Sequence, residues 1–174
     1  MSTQLLSSRA TLSLLGRSDF PDVLDMYSEP DTFKYIKGLQ NKSEQEYLEF
    51  LERKLQEIET GAGYYWMARL SGSAGFVGAI NLTPIVGQPD RIQIGWQLKG
   101  QFRGQGYASE LAEPVFRFGI DKLGLRTIYG VFEPENLASK RILEKLGFTF
   151  DEQQSKEGNR IEIYKYSVTD GSRA

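Results

Sequence analysis

Between Ile92 and Phe118 the spacing of apolar residues changes from two to between three and four, across a turn that holds Gly104 and Gly106. Ile92, Ile94, Trp96 and Leu98 alternate with Gln93, Gly95 and Gln97, as in a strand with one buried face. Tyr107, Leu111, Val115 and Phe118, filled out by Ala108 and Ala112, fall on one face of a helix. A strand that runs through glycines straight into a helix commits the chain to an α/β architecture. It also leaves several backbone N–H groups unpaired at the positive end of the helix dipole, where an anion is favoured. Glycines serve tight turns for steric reasons too, so the pair alone names no ligand. Ser109 stands where G-x-G-x-x-G needs its third glycine, and no Gly-Lys-Ser/Thr follows, which removes the dinucleotide fingerprint and the P-loop.

The flanking sequence supplies the other elements. Ala10, Leu12 and Leu14 alternate as a first strand; Ser18 as N-cap, Pro21, and Val23, Leu24 and Tyr27 predict a short helix ending near Ser28. Ser43 and Glu46 form an S-x-x-E capping box ahead of a stripe of Tyr47, Leu48, Leu51, Leu55 and Ile58, which Gly61 and Gly63 stop. Tyr64–Leu70, Gly75–Thr83 and Arg91–Leu98 read as an antiparallel meander broken at Ser71–Ser73 and at Pro84–Pro89. The helix after Gly104 runs to Gly124, with Pro114 expected to kink it. A strand Thr127–Phe132, a helix Asn136–Leu146, and strands Phe148–Glu152 and Ile161–Val168 around Gly158-Asn159 complete the order. The expectation is one domain, residues 1–174, with a mixed sheet and helices on its faces.

Composition narrows the chemistry. The chain has neither Cys nor His, so disulfides, thiol nucleophiles, imidazole bases and Cys/His metal sites are excluded, and no metal is expected. Lys and Arg number 21 against 23 Asp and Glu, with no long run of one sign, which argues against a nucleic-acid partner. The longest apolar run, Tyr64–Ala68, is far short of the about 20 residues of a membrane span. The expectation is a soluble, cytoplasmic protein. Residues 1–18 are rich in serine and lack acids, as transit peptides do, but the strand-like alternation from Ala10 to Leu14 argues against that reading.

Gln101, Gly104 and Gly106 match Q/R-x-x-G-x-G/A, and the segment is similar to the acetyl-coenzyme A binding signature of the GNAT N-acetyltransferases. Pro134-Glu135-Asn136-Leu137-Ala138-Ser139, Leu143-Glu144-Lys145-Leu146-Gly147-Phe148, Ser28-Glu29-Pro30-Asp31 and Ser43-Glu44-Gln45-Glu46 resemble segments of the RimJ/RimL-like branch, which acetylates ribosomal-protein N-termini. The resemblance implies a single-domain GNAT fold: a mixed, mostly antiparallel sheet of six to seven strands, helices on both faces, and a splay between strands Arg91–Leu98 and Thr127–Phe132.

It also implies roles. Backbone groups of Trp96, Gln97 and Leu98 would pair with the pantetheine arm of acetyl-CoA. Gln101 and the amides of Arg103, Gly104, Gln105, Gly106, Tyr107 and Ala108 would hold the pyrophosphate, and Asn136 would hydrogen-bond the cofactor. Ser139 would lie near the leaving sulfur. Many GNAT enzymes carry a glutamate where this chain has Gln93 and a tyrosine acid where it has Leu143, which leaves Glu133, Glu135 and Asp90 as base candidates, Glu133 first. Tyr27, Phe33 and Tyr35 would border the acceptor, and Trp66, Trp96, Phe132 and Gln93 would line its pocket. The implied reaction is direct attack of an amine on the thioester. The acceptor is a protein or peptide N-terminus or, alternatively, a small amine such as an amino acid, polyamine or antibiotic. A non-catalytic coenzyme A module is the remaining reading. The protein would be a monomer or homodimer.

Overall fold

The computed structural model describes residues 3–156 and 158–169. Strands β1 (Leu5–Leu6), β2 (Ala10–Leu14), β3 (Tyr64–Leu70), β4 (Phe76–Ile85), β5 (Gln88–Leu98), β6 (Thr127–Phe132), β7 (Thr149–Lys156) and β8 (Asn159–Ser167) form an eight-stranded sheet in the order β1-β2-β3-β4-β5-β6-β8-β7. The helices are α1 (Phe20–Ser28), α2 (Glu44–Thr60), α3 (Tyr107–Asp121) and α4 (Leu137–Lys145). Every neighbouring pair is antiparallel except β5 and β6, which run parallel and pair at Gln93 opposite Tyr129. Beyond that point the two strands part, as a splayed sheet requires.

Eight strands replace the expected six to seven because Leu5–Leu6 pair with Leu12 and Thr11. Two residues are too few to leave an alternation in sequence. Pro84 and Pro89 do not break the meander: both lie inside strands, on either side of a tight turn at Val86 and Gly87, and the register slips between Pro84 and Ile85. A bulge absorbs the missing N–H that would exclude proline from a regular ladder. At the first helix, Ser18 is not the cap. A 3-10 turn at Arg17–Asp19 precedes α1, and the Asp19 carboxylate accepts from Gly16 N–H at 2.9 Å. The capping box of α2 forms as read, with Ser43 N–H donating to Glu46 at 2.7 Å and Glu46 N–H to Ser43 Oγ at 3.2 Å. Pro114 lies within α3, which continues to Asp121.

Strand alternation sorts the core into two layers. Leu12, Trp66, Ile80, Leu82 and Ile94 face α3 and pack on Leu111, Val115 and Phe118, joined by Ile128 and by Leu143 of α4. On the other face Tyr65, Met67 and Ala79 pack on Val23, Met26 and Tyr27 of α1 and on Leu51 of α2. Among the described residues no helix is long and apolar enough to cross a membrane.

Candidate active site

The site is organised by the gap between β5 and β6 and by the turn that follows β5. A 3-10 turn at Gly100–Phe102 leads to Gly104 and Gly106, whose φ values of 71° and 82° lie in the region that favours glycine, and α3 begins at Tyr107. Among the described residues the amides of 104–109 have no hydrogen-bond acceptor, so they form an open row at the positive end of α3. The amide of Arg103 is not part of this row. It donates to Gly100 O at 3.2 Å, so the open row starts at Gly104.

Side chains from distant segments hold the turn in place. The Glu29 carboxylate accepts from Gly100 N–H at 2.6 Å, and Arg103 donates to Leu98 O at 3.1 Å and to Thr32 Oγ1 at 3.3 Å. Gln105 Nε2 donates to Gln101 O at 2.6 Å. Arg9 reaches in from β2's leading turn. Its guanidinium lies 3.8 Å from the centre of the Tyr107 ring, donates to Gln105 O at 3.0 Å and pairs with Glu110 at 2.7 Å. Glu110 also accepts from Ser7 Oγ at 2.7 Å and from Arg9 N–H at 2.8 Å. Burial pushes the Glu110 carboxyl up, but the bonds from Ser7 and Arg9 outweigh it and hold the group below the ordinary carboxylate range.

Across the gap, Asn136 caps α4 by accepting from Ser139 N–H at 3.2 Å, which leaves its Nδ2 donors for a ligand. Ser139 is half-buried in the first turn. Glu133, at the end of β6, is mostly buried, and its carboxylate lies 3.5 Å from Lys37 Nζ, which also donates to Asn159 Oδ1 at 2.7 Å. Leu143 fills the core under β6. A methyl at Gly130 would lie 2.4 Å from its Cδ1. Glu135 and Asp90 are exposed, and Asp90 lies toward the β4–β5 turn, away from the glycine turn.

The α1–α2 face carries the expected acceptor residues Tyr27 and Phe33, which cluster with Tyr47 at ring-centre distances of 4.8 to 5.5 Å beside a cavity of 640 Å³. Tyr35 stands apart, half-buried near Lys34. Trp66 is corrected: it is fully buried on the opposite face, its indole N–H donating to Thr3 O at 2.8 Å and its ring packed on Tyr64 and Phe118. Trp96 and Phe132 belong to the same α3-side layer. The physical reason is strand parity, since side chains two apart share a face and Trp66 lies on the α3 side with Ile80 and Ile94. The same parity puts Tyr65, Asn81, Gln93 and Gln97 on the side of the sheet that faces α1 and α2. Asn81 donates to Thr83 Oγ1 at 2.8 Å, and its Oδ1 would be 2.8 Å from a methyl at Gly95. Tyr65, Asn81 and the Gln97 side chain were not singled out from sequence; the alternation in β3, β4 and β5 was the signal that could have found them.

The sequence pattern of the acetyltransferase (GNAT) domain family matches residues 9–149. The uncharacterized N-acetyltransferase YoaA of Bacillus subtilis (strain 168) is 26% identical over 151 residues, 83% of this chain and 81% of that protein. In structure, an acetyltransferase from Agrobacterium tumefaciens str. C58 superposes with a TM-score of 0.81 at 22% identity, covering 97% of this chain and 96% of that one. RimL, described as a ribosomal L7/L12 α-N-protein acetyltransferase in complex with coenzyme A, superposes with a TM-score of 0.79 at 15% identity, covering 93% and 96%. The open amide row, the parted strands and these matches agree: the chain belongs to the GNAT family of acetyl-CoA dependent N-acetyltransferases and has the fold shared by RimL.

Proposed function

We propose that the protein transfers an acetyl group from acetyl-CoA directly to the α-amino group of a protein or peptide N-terminus. The observation that carries the reading is the row of amides at 104–109, opening beside the gap between β5 and β6. These amides would take the pyrophosphate, the edge of β5 that faces the gap from Trp96 to Leu98 would pair with the pantetheine arm, and Asn136 Nδ2 would add a donor from α4. Acetyl-CoA supplies an activated thioester. The acceptor nitrogen bonds to its carbonyl carbon, the carbon–sulfur bond breaks, and the amine proton leaves to solvent or a nearby group. Ser139 would stand close enough to the sulfur to protonate the departing thiolate, which leaves readily because a thiol pKa is about 8.5.

The choice of acceptor rests on what lines the site. Gln93 cannot accept a proton at neutral pH, and the Glu133 carboxylate is engaged by Lys37. A site with so little basic help suits an amine that is already largely neutral. An α-amino group has a pKa of about 7.7 to 8.0 and a lysine side chain about 10.4, so at pH 7 roughly one in ten of the former but about one in a few thousand of the latter is unprotonated. The comparison with RimL, described as acting on a ribosomal-protein N-terminus, supports the same choice. The test compares kcat/KM for peptides with a free N-terminus against N-blocked peptides with one internal lysine, from pH 6 to 9. Faster turnover of the free N-termini, rising with the amine's own pKa, is expected. Equal or faster turnover of lysine refutes the reading.

A further inference from the structure

Tyr27 of α1 and Tyr65 of β3 place two buried hydroxyls in the layer between the sheet and α1 and α2. Both residues are buried, their oxygens lie 3.3 Å apart, and the Tyr65 hydroxyl donates to Gln97 Oε1 on β5 at 3.4 Å. Ala79 of β4, opposite Gln97, is small enough for the Tyr65 ring to reach across it. We infer that Tyr27 and Tyr65 are positioning residues that lock the Gln97 amide with its Nε2 donors turned over the gap beside β5, where they bind a carbonyl oxygen of a ligand. The inference rests on the acetyl-transfer reading for the identity of that ligand, and it adds a recognition element to the site.

The direction of the chain follows from counting protons. Tyr27 has Tyr65 as its hydroxyl partner, so both buried O–H groups are satisfied only if Tyr27 donates to Tyr65 and Tyr65 donates to Gln97. If the amide were reversed, its nitrogen would donate to Tyr65, Tyr65 to Tyr27, and the Tyr27 proton would be buried without an acceptor, an arrangement folded proteins avoid. Burial pushes the Tyr65 phenol up to about 12 and the Tyr27 phenol well above its ordinary value, so both keep their protons throughout the neutral range. With Oε1 held toward Tyr65 of β3, the planar amide directs its nitrogen away from β3, toward the β6 side of β5. A half-buried amide presenting two donors selects for an acceptor atom. A pantetheine amide carbonyl of the donor and the first peptide carbonyl of the acceptor both qualify, whereas a polyamine, which offers N–H groups, does not.

The experiment uses three forms of the full chain. Gln97→Glu keeps the oxygen that Tyr65 needs and replaces the donors with an acceptor; Gln97→Met keeps the length without donor, acceptor or charge. Tyr27→Phe with Tyr65→Phe removes both hydroxyls together, so neither is orphaned. Coenzyme A is titrated into each by calorimetry, and a peptide with a free N-terminus is then titrated into each coenzyme A complex, with thermal melting as the folding control. Both Gln97 variants are expected to weaken one of the two affinities, by about tenfold for Gln97→Glu, and the double variant to weaken the same one by about two- to tenfold. Loss of coenzyme A affinity assigns the carbonyl to the donor; loss of peptide affinity alone assigns it to the acceptor. Melting temperatures should stay near wild type. Both affinities within twofold of wild type in Gln97→Glu would overturn the inference, as would a double-variant loss in the other arm. Neither titration needs turnover, so an absence of peptide acetylation would count against the proposed reaction and not against the Gln97 amide.

Discussion

A single methyl group at Gly78 tests whether the shape of β5 governs cofactor binding. Gly78 pairs with Leu98, and β5 crosses it so closely that a Cβ there would lie 2.1 Å from Gln97 O, 2.9 Å from Leu98 Cα and 3.0 Å from Leu98 Cδ2. Comfortable contacts between heavy atoms begin near about 3.5 Å, so Gly78→Ala requires β5 to retreat by about 1 Å. The obstructing atoms are mainly backbone and cannot swing aside as a side chain would. Overpacking of this kind costs about 1–3 kcal/mol. For a domain of this size each kcal/mol lowers the melting temperature by about 2–4 °C, so a fall of about 6–12 °C is expected at the upper end of that range. The residues displaced are those whose backbone edge would meet the pantetheine arm, so coenzyme A affinity should fall at least about tenfold at a temperature where the variant is folded. Gly38→Ala, where a Cβ would meet nothing within 4 Å, is the control. Thermal melting by circular dichroism and calorimetric titration with coenzyme A read both effects. A Gly78→Ala protein that melts within about 1 °C of wild type and binds coenzyme A within twofold would show that β5 is not wedged against β4 as described.

Gly106→Val puts a β-branched residue at a φ of 82° beside the open amides and is expected to weaken coenzyme A binding while circular dichroism shows a folded protein; unchanged affinity would mean that the glycine serves the turn alone. Glu110→Gln should lower the melting temperature at neutral pH, because it weakens the bonds from Ser7 and Arg9 that tie the N-terminal segment to α3. The Glu110 carboxyl is depressed in the folded protein, so the stability it contributes is present above the ordinary carboxylate pKa and is lost as pH falls through its lowered value; the gap between wild type and Glu110→Gln should close in acid. Glu133→Gln should leave the pH profile of kcat/KM following the pKa of the acceptor amine, and a displaced profile would mark Glu133 as the base.

Local rules accounted for much of the fold. The α2 capping box needs only Ser43 and Glu46, three residues apart, and the turn at Gly104 and Gly106 needs only glycines where φ is positive. The change of period at that turn marked where β5 ends and α3 follows, because alternation and helical spacing are written within a few residues of chain, whereas the start of the open amide row at Gly104 depended on the 3-10 turn that takes up the Arg103 amide. Where the local signal was short or compensated, it misled: Leu5–Leu6 are too few to show a period, and the bulge after Pro84 hides a strand behind a residue that usually ends one. Which face each strand turns toward the ligand was decided only by packing. Trp66 and Tyr65 are neighbours in sequence and equally aromatic, yet one is sealed beneath α3 and the other is hydrogen-bonded toward the site. The contacts that shape the site join Arg9 to Glu110, Glu29 to Gly100, Lys37 to Glu133, and Tyr27 through Tyr65 to Gln97. Each joins residues far apart in the chain, and a side chain's hydrogen-bond partner at such separations is set by how the layers stack, a property that no window of sequence contains.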